Sequence, residues 1–437
     1  MTYEDARNFI KASNKYGIVP GLETMEELLG RLGNPQEKLK MIHVAGSNGK
    51  GSTCAFISTI LIEAGYKVGR YSSPTVFTYR EIIQIGYEGL SEMDYITEEG
   101  VCEAIDKIMP VCKDMLEDGY SHPTAFEIET AMAFLYLSQE NVDFAIIEVG
   151  MGGRLDATNV IKQPICTVIT SISMDHMQYL GSSLKEIAYQ KAGIIKDNVP
   201  LVTCKQHSDV EGVLQEISAE KNAKYYVADT HKVRNAIYTP EKTRFTMEDE
   251  EYSISLLGEY QIDNGLLAIT AARVIDKLGY LISEEAIKRG LDKTRWSGRF
   301  EVISRKPYFI IDGAHNEDAA IRLAKSIEQY FTNQRIIYII GVLSDKDVKS
   351  ILKITAPLAD VIIALTPDNK RALASSDLAN MALSYGKKVI DAATVDMAVK
   401  RAYQEATEDD VIIAFGSLSY LGELKQTVED VKREKDI

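Results

Sequence analysis

The sequence predicts an α/β protein: a phosphate-loop domain on a mostly parallel sheet, followed by a smaller Rossmann-like α/β domain. Three observations predict it. Short, near-continuous apolar runs at 41–45, 142–149 and 165–172 read as strands buried on both faces. They alternate with helix-patterned segments at 53–64, 124–139 and 184–194, the rhythm of βα units around a parallel sheet. A second βα series starts after a linker near 293–299, with strands at 309–312, 335–342, 361–365, 388–391 and 411–415. The expected domains are 1–296 and 297–437.

The chain opens with a helix over 3–13, a turn-rich stretch over 16–23, and a helix over 24–32 stopped by Gly33-Asn34-Pro35. The first strand, Met41-Ile42-His43-Val44-Ala45, runs into Gly46-Ser47-Asn48-Gly49-Lys50-Gly51-Ser52. The glycines let several N–H groups face one point, and the helix start and Lys50 add positive charge there, which suits a triphosphate. The usual G-x-x-x-x-G-K-[ST] pattern is departed from at Val44 and Gly51, so a plain glycine-rich turn is the alternative.

The strand over 67–71 ends in Ser72-Ser73-Pro74. It is expected beside the first strand, with the Ser73 hydroxyl near the phosphates; a simple turn serine is the alternative. The strand over 142–149 carries Glu148 at its carboxyl end. Burying an unpaired carboxylate costs several kcal/mol, roughly, so Glu148 resembles the acid that holds Mg²⁺ in phosphate-loop enzymes. Gly150 to Asn159, rich in Gly and Asx, is a candidate binding loop. The strand over 165–172 ends in Ser173-Met174-Asp175-His176, which makes His176 a candidate metal or phosphate ligand or else a surface histidine. Lys191, in the helix over 184–194, reads on its own as a surface lysine. Lys50, Ser73, Glu148 and His176 are thus expected at one sheet edge, as an ATP–Mg²⁺ site.

From 224 to 257 short β-like runs suggest a small antiparallel sheet inside the first domain. Residues 260–264 are expected to cap a helix over 265–278, and a helix over 283–291 follows. In the second domain Asp312 and His315 lie at a strand end and Arg299 in the linker, placed to close over the nucleotide; helix capping by Asp312 or Asn316 and a structural Arg299 are the alternatives.

Composition narrows the partners. A net charge of −15 without a Lys/Arg run argues against nucleic acid, so acidic substrates must meet local cations or metal. Five scattered cysteines without a C-x-x-C point to reduced thiols and a cytoplasmic protein. The start of the chain has no export-like apolar core, and no stretch approaches a membrane span.

Taken together, Leu32-Gly33-Asn34-Pro35, HVAGSNGKGS, Ser72-Ser73-Pro74, EVGMGGRLDATN, Met174-Asp175-His176, Gln190-Lys191-Ala192-Gly193-Ile194, Gly298-Arg299-Phe300-Glu301 and Asp312-Gly313-Ala314-His315-Asn316 resemble the folylpolyglutamate synthase and dihydrofolate synthase family of Mur-ligase-like enzymes, over nearly the whole chain. The resemblance implies that Ser47, Asn48, Gly49, Lys50, Gly51 and Ser52 hold ATP, with Asn264, Arg299, Asp312 and His315 also at the nucleotide. It implies two Mg²⁺ ions, one on Ser73 and Glu148, the other on His176 and a carbamylated Lys191. It implies a folate or pteroate site at Val19, Pro20, Gly21 and Leu22, at Thr124, Ala125, Phe126 and Glu127, and at Leu155, Asp156 and Ala157. Departures from the family pattern fall at Ser47, Thr24, Thr75 and Ile82.

The implied reaction is ADP-forming ligation of L-glutamate to a reduced folate, to dihydropteroate or to both, through an acyl phosphate, by a cytoplasmic monomer. The other readings are a Mur-type ligase for a different carboxylate and a non-catalytic nucleotide-binding module.

Overall fold

The computed structural model describes Met1 to Lys435 except Ile18, Pro20 and Ser91, and the side chains of 434 and 435. Pro20, expected at the acceptor site, therefore lies outside the described residues. The chain folds into two compact units that interleave along the sequence: 1–75, 79–233 and 263–294 form the first, and 76–78, 234–262 and 295–437 the second. A single boundary at 296/297 does not describe 76–78 or 234–262.

Eight strands of the first unit form one sheet: β1 (Met41–Ala45), β2 (Val68–Tyr71), β3 (Ile83–Gly86), β4 (Asp94–Tyr95), β5 (Phe144–Glu148), β6 (Cys166–Ile169), β7 (Leu201–Cys204) and β8 (Tyr225–Ala228). Their order is β4-β3-β2-β5-β1-β6-β7-β8. All neighbours run parallel except β2–β3 and β3–β4. Strands β1 and β5 are buried along their whole length, as apolar strands covered on both faces must be. Helices Lys50–Glu63 and Ala125–Gln139 are apolar nearly all round and correspondingly buried. Helix Glu284–Lys293 lies against the first of these, close enough that a Cβ on Gly290 would sit 2.5 Å from the Ile60 Cα.

In the second unit β9 (Val233–Tyr238), β10 (Thr243–Met247) and β11 (Glu250–Ile254) make a small sheet. Six more strands form the other: β12 (Glu301–Arg305), β13 (Tyr308–Ile311), β14 (Ile336–Ile340), β15 (Val361–Leu365), β16 (Lys388–Ala393) and β17 (Val411–Phe415). The order is β12-β13-β17-β14-β15-β16, parallel except for β12 against β13. The two large, mostly parallel α/β sheets are the architecture that the alternating pattern predicted.

Three details differ from the sequence reading. Tyr225–Ala228 is not part of the small sheet: it adds in parallel to β7 as the edge of the large one. β5 separates β2 from β1, so Ser73 follows a strand one place further from the phosphate loop than expected. Residues 261–264 do not precede a helix but form its first turn in Gln261–Lys277; the backbone turns before it at Gly258, whose φ of 118° suits glycine.

Candidate active site

The parallel register carries the carboxyl ends of β1, β2, β5 and β6 to one edge. Val44 lies opposite Glu148, Ala45 opposite Ile169, and Tyr71 opposite Ile147. At that edge Gly46 turns with φ of 150°, so close to Thr170 that a Cβ would overlap its hydroxyl. Gly49 starts helix Lys50–Glu63 with φ of 87° and no side-chain cap. A Cβ there would overlap the Asn264 side-chain oxygen, which places Asn264 against the phosphate loop. The first helical bond runs from Thr53 N–H to the Gly49 carbonyl at 2.9 Å, so the amides of Lys50, Gly51 and Ser52 lie ahead of the hydrogen-bonded ladder. An uncapped helix start of this kind is an anion site.

The other side of the loop is tied to the segment after β6. The Ser47 and Asn48 amides donate to the Ser171 carbonyl, at 2.9 and 3.4 Å. The Ser47 hydroxyl donates to the Ser173 carbonyl at 3.0 Å and accepts from the Ser173 amide at 3.1 Å. The Thr170 hydroxyl donates to the Asn48 carbonyl at 2.7 Å. These bonds hold Ser47 and Asn48 as the fixed wall of the loop.

Two lysines meet in the loop. Lys50 Nζ donates to the Gly46 carbonyl at 3.2 Å, and Lys191 Nζ donates to the same oxygen at 2.8 Å. Lys191 is 3% exposed, so it is not the surface lysine that local sequence suggested. Burial, with the Lys50 charge adding to it, pushes the Lys191 amine down to about 7. Two contacts bring it in. A Cβ on Gly153 would lie 2.9 Å from the carbonyls of Gln190 and Lys191, and one on Gly193 would overlap Arg154. The Arg154 amide donates to Gln190 at 2.7 Å. The glycine-rich loop and helix Leu184–Ala192 are thus backbone against backbone, and Lys191 is delivered inward.

Glu148 is 5% exposed at the end of β5. The buried Cys54 thiol, raised chiefly by burial, also feels Glu148, Arg70 and Lys50, which places those charges around it. His176 begins a short helix at φ 48°, with its Nε2 3.6 Å from an Asp175 carboxylate oxygen; Asp175 in turn reaches Lys191 electrostatically. Ser73 lies two residues past Tyr71, along the line of Glu148's strand end. Among the described residues no three His, Cys, Asp or Glu side chains converge as a ready metal cage. A buried carboxylate and a hydroxyl fit Mg²⁺, an oxygen-liganded ion that keeps waters and takes few protein carboxylates when phosphate oxygens complete its shell; the Lys191 amine nitrogen is not itself such a ligand.

Four of the expected acceptor residues come together in the fold. Leu22, Ala125, Phe126 and Ala157 share an apolar cluster. Phe126 packs under the loop, where a Cβ on Gly150 would lie 2.5 Å from its ring. Thr124 and Glu127 cap helix Ala125–Gln139 reciprocally, with the Thr124 amide donating to Glu127 at 2.7 Å. Val19 and Leu155 are exposed, whereas Asp156 is buried and accepts from the Met151 amide at 2.8 Å and the Thr158 hydroxyl at 2.6 Å. Gly21 has φ of 142°.

In the second unit, Asp312 is buried; it accepts from the Phe300 amide at 2.8 Å, the Ala314 amide at 2.8 Å and the Tyr260 hydroxyl at 3.0 Å. Arg299 lies against Gly313, and His315 Nδ1 is 2.7 Å from the Gly313 carbonyl. Sequence reasoning missed Tyr260, Arg70 and His43. The last carried a legible signal: a polar residue inside a strand otherwise apolar.

Residues 44–272 match the Mur ligase middle domain, and residues 298–418 match the Mur ligase glutamate ligase domain. The chain is 36% identical, over 98% of its length and 99% of the relative's, to the dihydrofolate synthase/folylpolyglutamate synthase of Bacillus subtilis. It is similar to the Mycobacterium tuberculosis folylpolyglutamate synthase complexed with ADP, at TM-score 0.87 and 28% identity over 98% of each chain. It is also similar to E. coli FolC in complex with DHPP and ADP, at TM-score 0.83 and 27% identity over 98% of each chain. No helix among the described residues is long and apolar enough to cross a membrane. The chain belongs to the folylpolyglutamate synthase/dihydrofolate synthase family of Mur-type ligases.

Proposed function

We propose that this protein joins L-glutamate to a folate-type acid at the expense of ATP, taking both dihydropteroate and reduced folates as acceptors. The observation that carries the reading is the meeting of Lys50, Lys191 and the uncapped helix start at one strand edge that also holds Glu148. Lys50 and the helix start supply positive potential there in a protein whose net charge is −15.

In the proposed reaction an acceptor carboxylate oxygen attacks the γ-phosphorus of ATP, and the bond to the β-bridging oxygen breaks to release ADP. The glutamate amine then attacks the acyl carbon, loses a proton, and phosphate leaves. Negative charge builds on the transferred phosphoryl oxygens in both halves. Lys50 and the amides of Lys50, Gly51 and Ser52 are the fixed donors for it, with Ser47, Asn48 and Gly49 shaping the loop. Ser73 and Glu148 would hold one Mg²⁺, and His176 with carbamylated Lys191 a second. Mg²⁺ there supplies charge neutralisation at the phosphates. A lysine near 7 suits carbamylation, because the neutral amine is the form that attacks CO₂.

Asn264, Arg299, Asp312 and His315 are proposed as further nucleotide residues. Asp312 acts by holding the Phe300 amide beside Arg299 rather than by direct contact alone. Val19, Gly21, Leu22, Thr124 to Glu127 and Leu155 to Ala157 are proposed to face the acceptor. The working form is proposed to be a cytoplasmic monomer.

Mass spectrometry of the acceptor tests the reading. A gain of one glutamyl residue is expected with either acceptor. ATP turnover without an amine requirement would instead mark a nucleotide switch, and glutamylation of an unrelated acid alone would mark a different Mur-type ligase.

A further inference from the structure

His43 sits in the middle of β1, three residues before Gly46, and is 0% exposed. It lies between Ile147 of β5 and Thr167 of β6 in register, with no route to solvent. Its Nε2 is 2.8 Å from the Thr158 hydroxyl. That hydroxyl is 2.6 Å from Asp156 Oδ1, which also accepts from the Thr158 amide at 3.0 Å. Asp156 Oδ2 accepts from the Met151 amide at 2.8 Å.

The directions of these bonds follow from chemistry. A carboxylate only accepts, so Thr158 donates its proton to Asp156. Thr158 must then accept from His43, which fixes the imidazole as the Nε2–H tautomer. His43 Nδ1 is left as a buried acceptor with no hydrogen-bond partner among the described residues. An orphan of that kind is unfavourable, and an apolar residue of similar size would avoid it. Among the described residues, the bond to Thr158 is the polar contact that offsets it.

We propose that His43 is a positioning residue for the acceptor site, acting through Thr158 to hold Asp156 and with it the turn Leu155–Ala157. The strand that presents the phosphate loop thereby also fixes the loop that receives the acceptor. This rests on the reading of Leu155 to Ala157 as an acceptor-binding loop, and the test separates the two.

Steady-state kinetics on His43→Leu, His43→Gln, Thr158→Val, Thr158→Ser and Asp156→Asn, varying acceptor and ATP separately, decide it. Loss of one buried hydrogen bond predicts a five- to tenfold rise, roughly, in acceptor KM for His43→Leu, with KM for ATP unchanged. His43→Gln, whose amide can reach the Nε2 position, is expected to restore most of it, and Thr158→Ser to outperform Thr158→Val. The double variant His43→Leu/Thr158→Val should be no worse than Thr158→Val alone, because both break one chain of bonds.

The relay is overturned if Asp156→Asn raises acceptor KM while His43→Leu does not, if KM for ATP rises in parallel, or if the two losses simply add. If Asp156→Asn leaves acceptor KM unchanged, the reading of the loop fails, and the relay with it. Should His43→Leu not fold, His43→Gln and the Thr158 pair carry the same comparison.

Discussion

Lys50 and Lys191 donate to one oxygen, the Gly46 carbonyl, at 3.2 and 2.8 Å. The Lys50 charge opposes protonation of Lys191, a repulsion at the mouth of the phosphate loop. An incoming phosphate, or a carbamate formed on Lys191, relieves it. Lys50→Ala should therefore remain folded and lose about 10²- to 10³-fold in kcat, the typical loss for one preorganised charge contact. Circular dichroism with single-turnover ADP formation checks both halves, and near-normal turnover would contradict the role.

Lys191 is held near neutral mainly by burial. Enzyme prepared free of CO₂ and bicarbonate is expected to be less active and to recover when bicarbonate is added, whereas Lys191→Ala should be inactive and indifferent to bicarbonate. The neutral fraction of a base grows as pH rises through its pKa. Reactivation should thus speed up as pH is raised through about 7. Bicarbonate-independent activity of the stripped enzyme would exclude a carbamate.

His43 predicts the shape of the acid limb of stability. Burial, with the Lys196 charge adding to it, pushes the imidazole down to about 3. The unfolded histidine, near its ordinary 6.5, binds a proton over the interval where the folded one does not. Stability is therefore lost as pH falls from about 6.5 toward 3. The difference in Tm between wild type and His43→Leu should shift in favour of the variant across that interval; parallel curves would mean that His43 is not neutral in the fold.

Two glycines should behave oppositely. At Gly153 a Cβ would lie 2.9 Å from two backbone carbonyls that flank Lys191, atoms that cannot rotate away. Gly153→Ala is expected to cost about 1–3 kcal/mol and to lower turnover with it. Gly212, inside helix Ser208–Glu220, has nothing within 4 Å of its Cβ position. Gly212→Ala should gain roughly 0.5–1 kcal/mol without touching kcat. Thermal unfolding and ADP release of the pair test this, and equal effects would contradict the packing described.

Residues at strand ends were legible because a parallel sheet delivers every carboxyl end to one edge: Lys50 and Glu148 needed only the strand and helix periods. Lys191 was different. Nothing local marks it, since its burial comes from Gly153 and Gly193 letting two distant segments touch, and only the family resemblance singled it out. Tyr260 escaped for the same reason, its partner Asp312 lying 52 residues along the chain. The order of the sheet was also hidden, because β5 enters between β1 and β2 and periodicity carries no information about neighbours. Helix Glu98–Glu117, with Pro110 inside it, and the antiparallel strands β3 and β4 lie in a stretch without a motif to mark them.

The most direct test of the central claim is ADP release with Mg·ATP and L-glutamate, run side by side with dihydropteroate and with tetrahydrofolate. Glutamate-dependent release with both acceptors, abolished in Lys50→Ala, is the predicted result. No release with either acceptor from protein that still binds ATP would contradict the claim and point to Thr24, Thr75 and Ile82 as marks of a different acceptor.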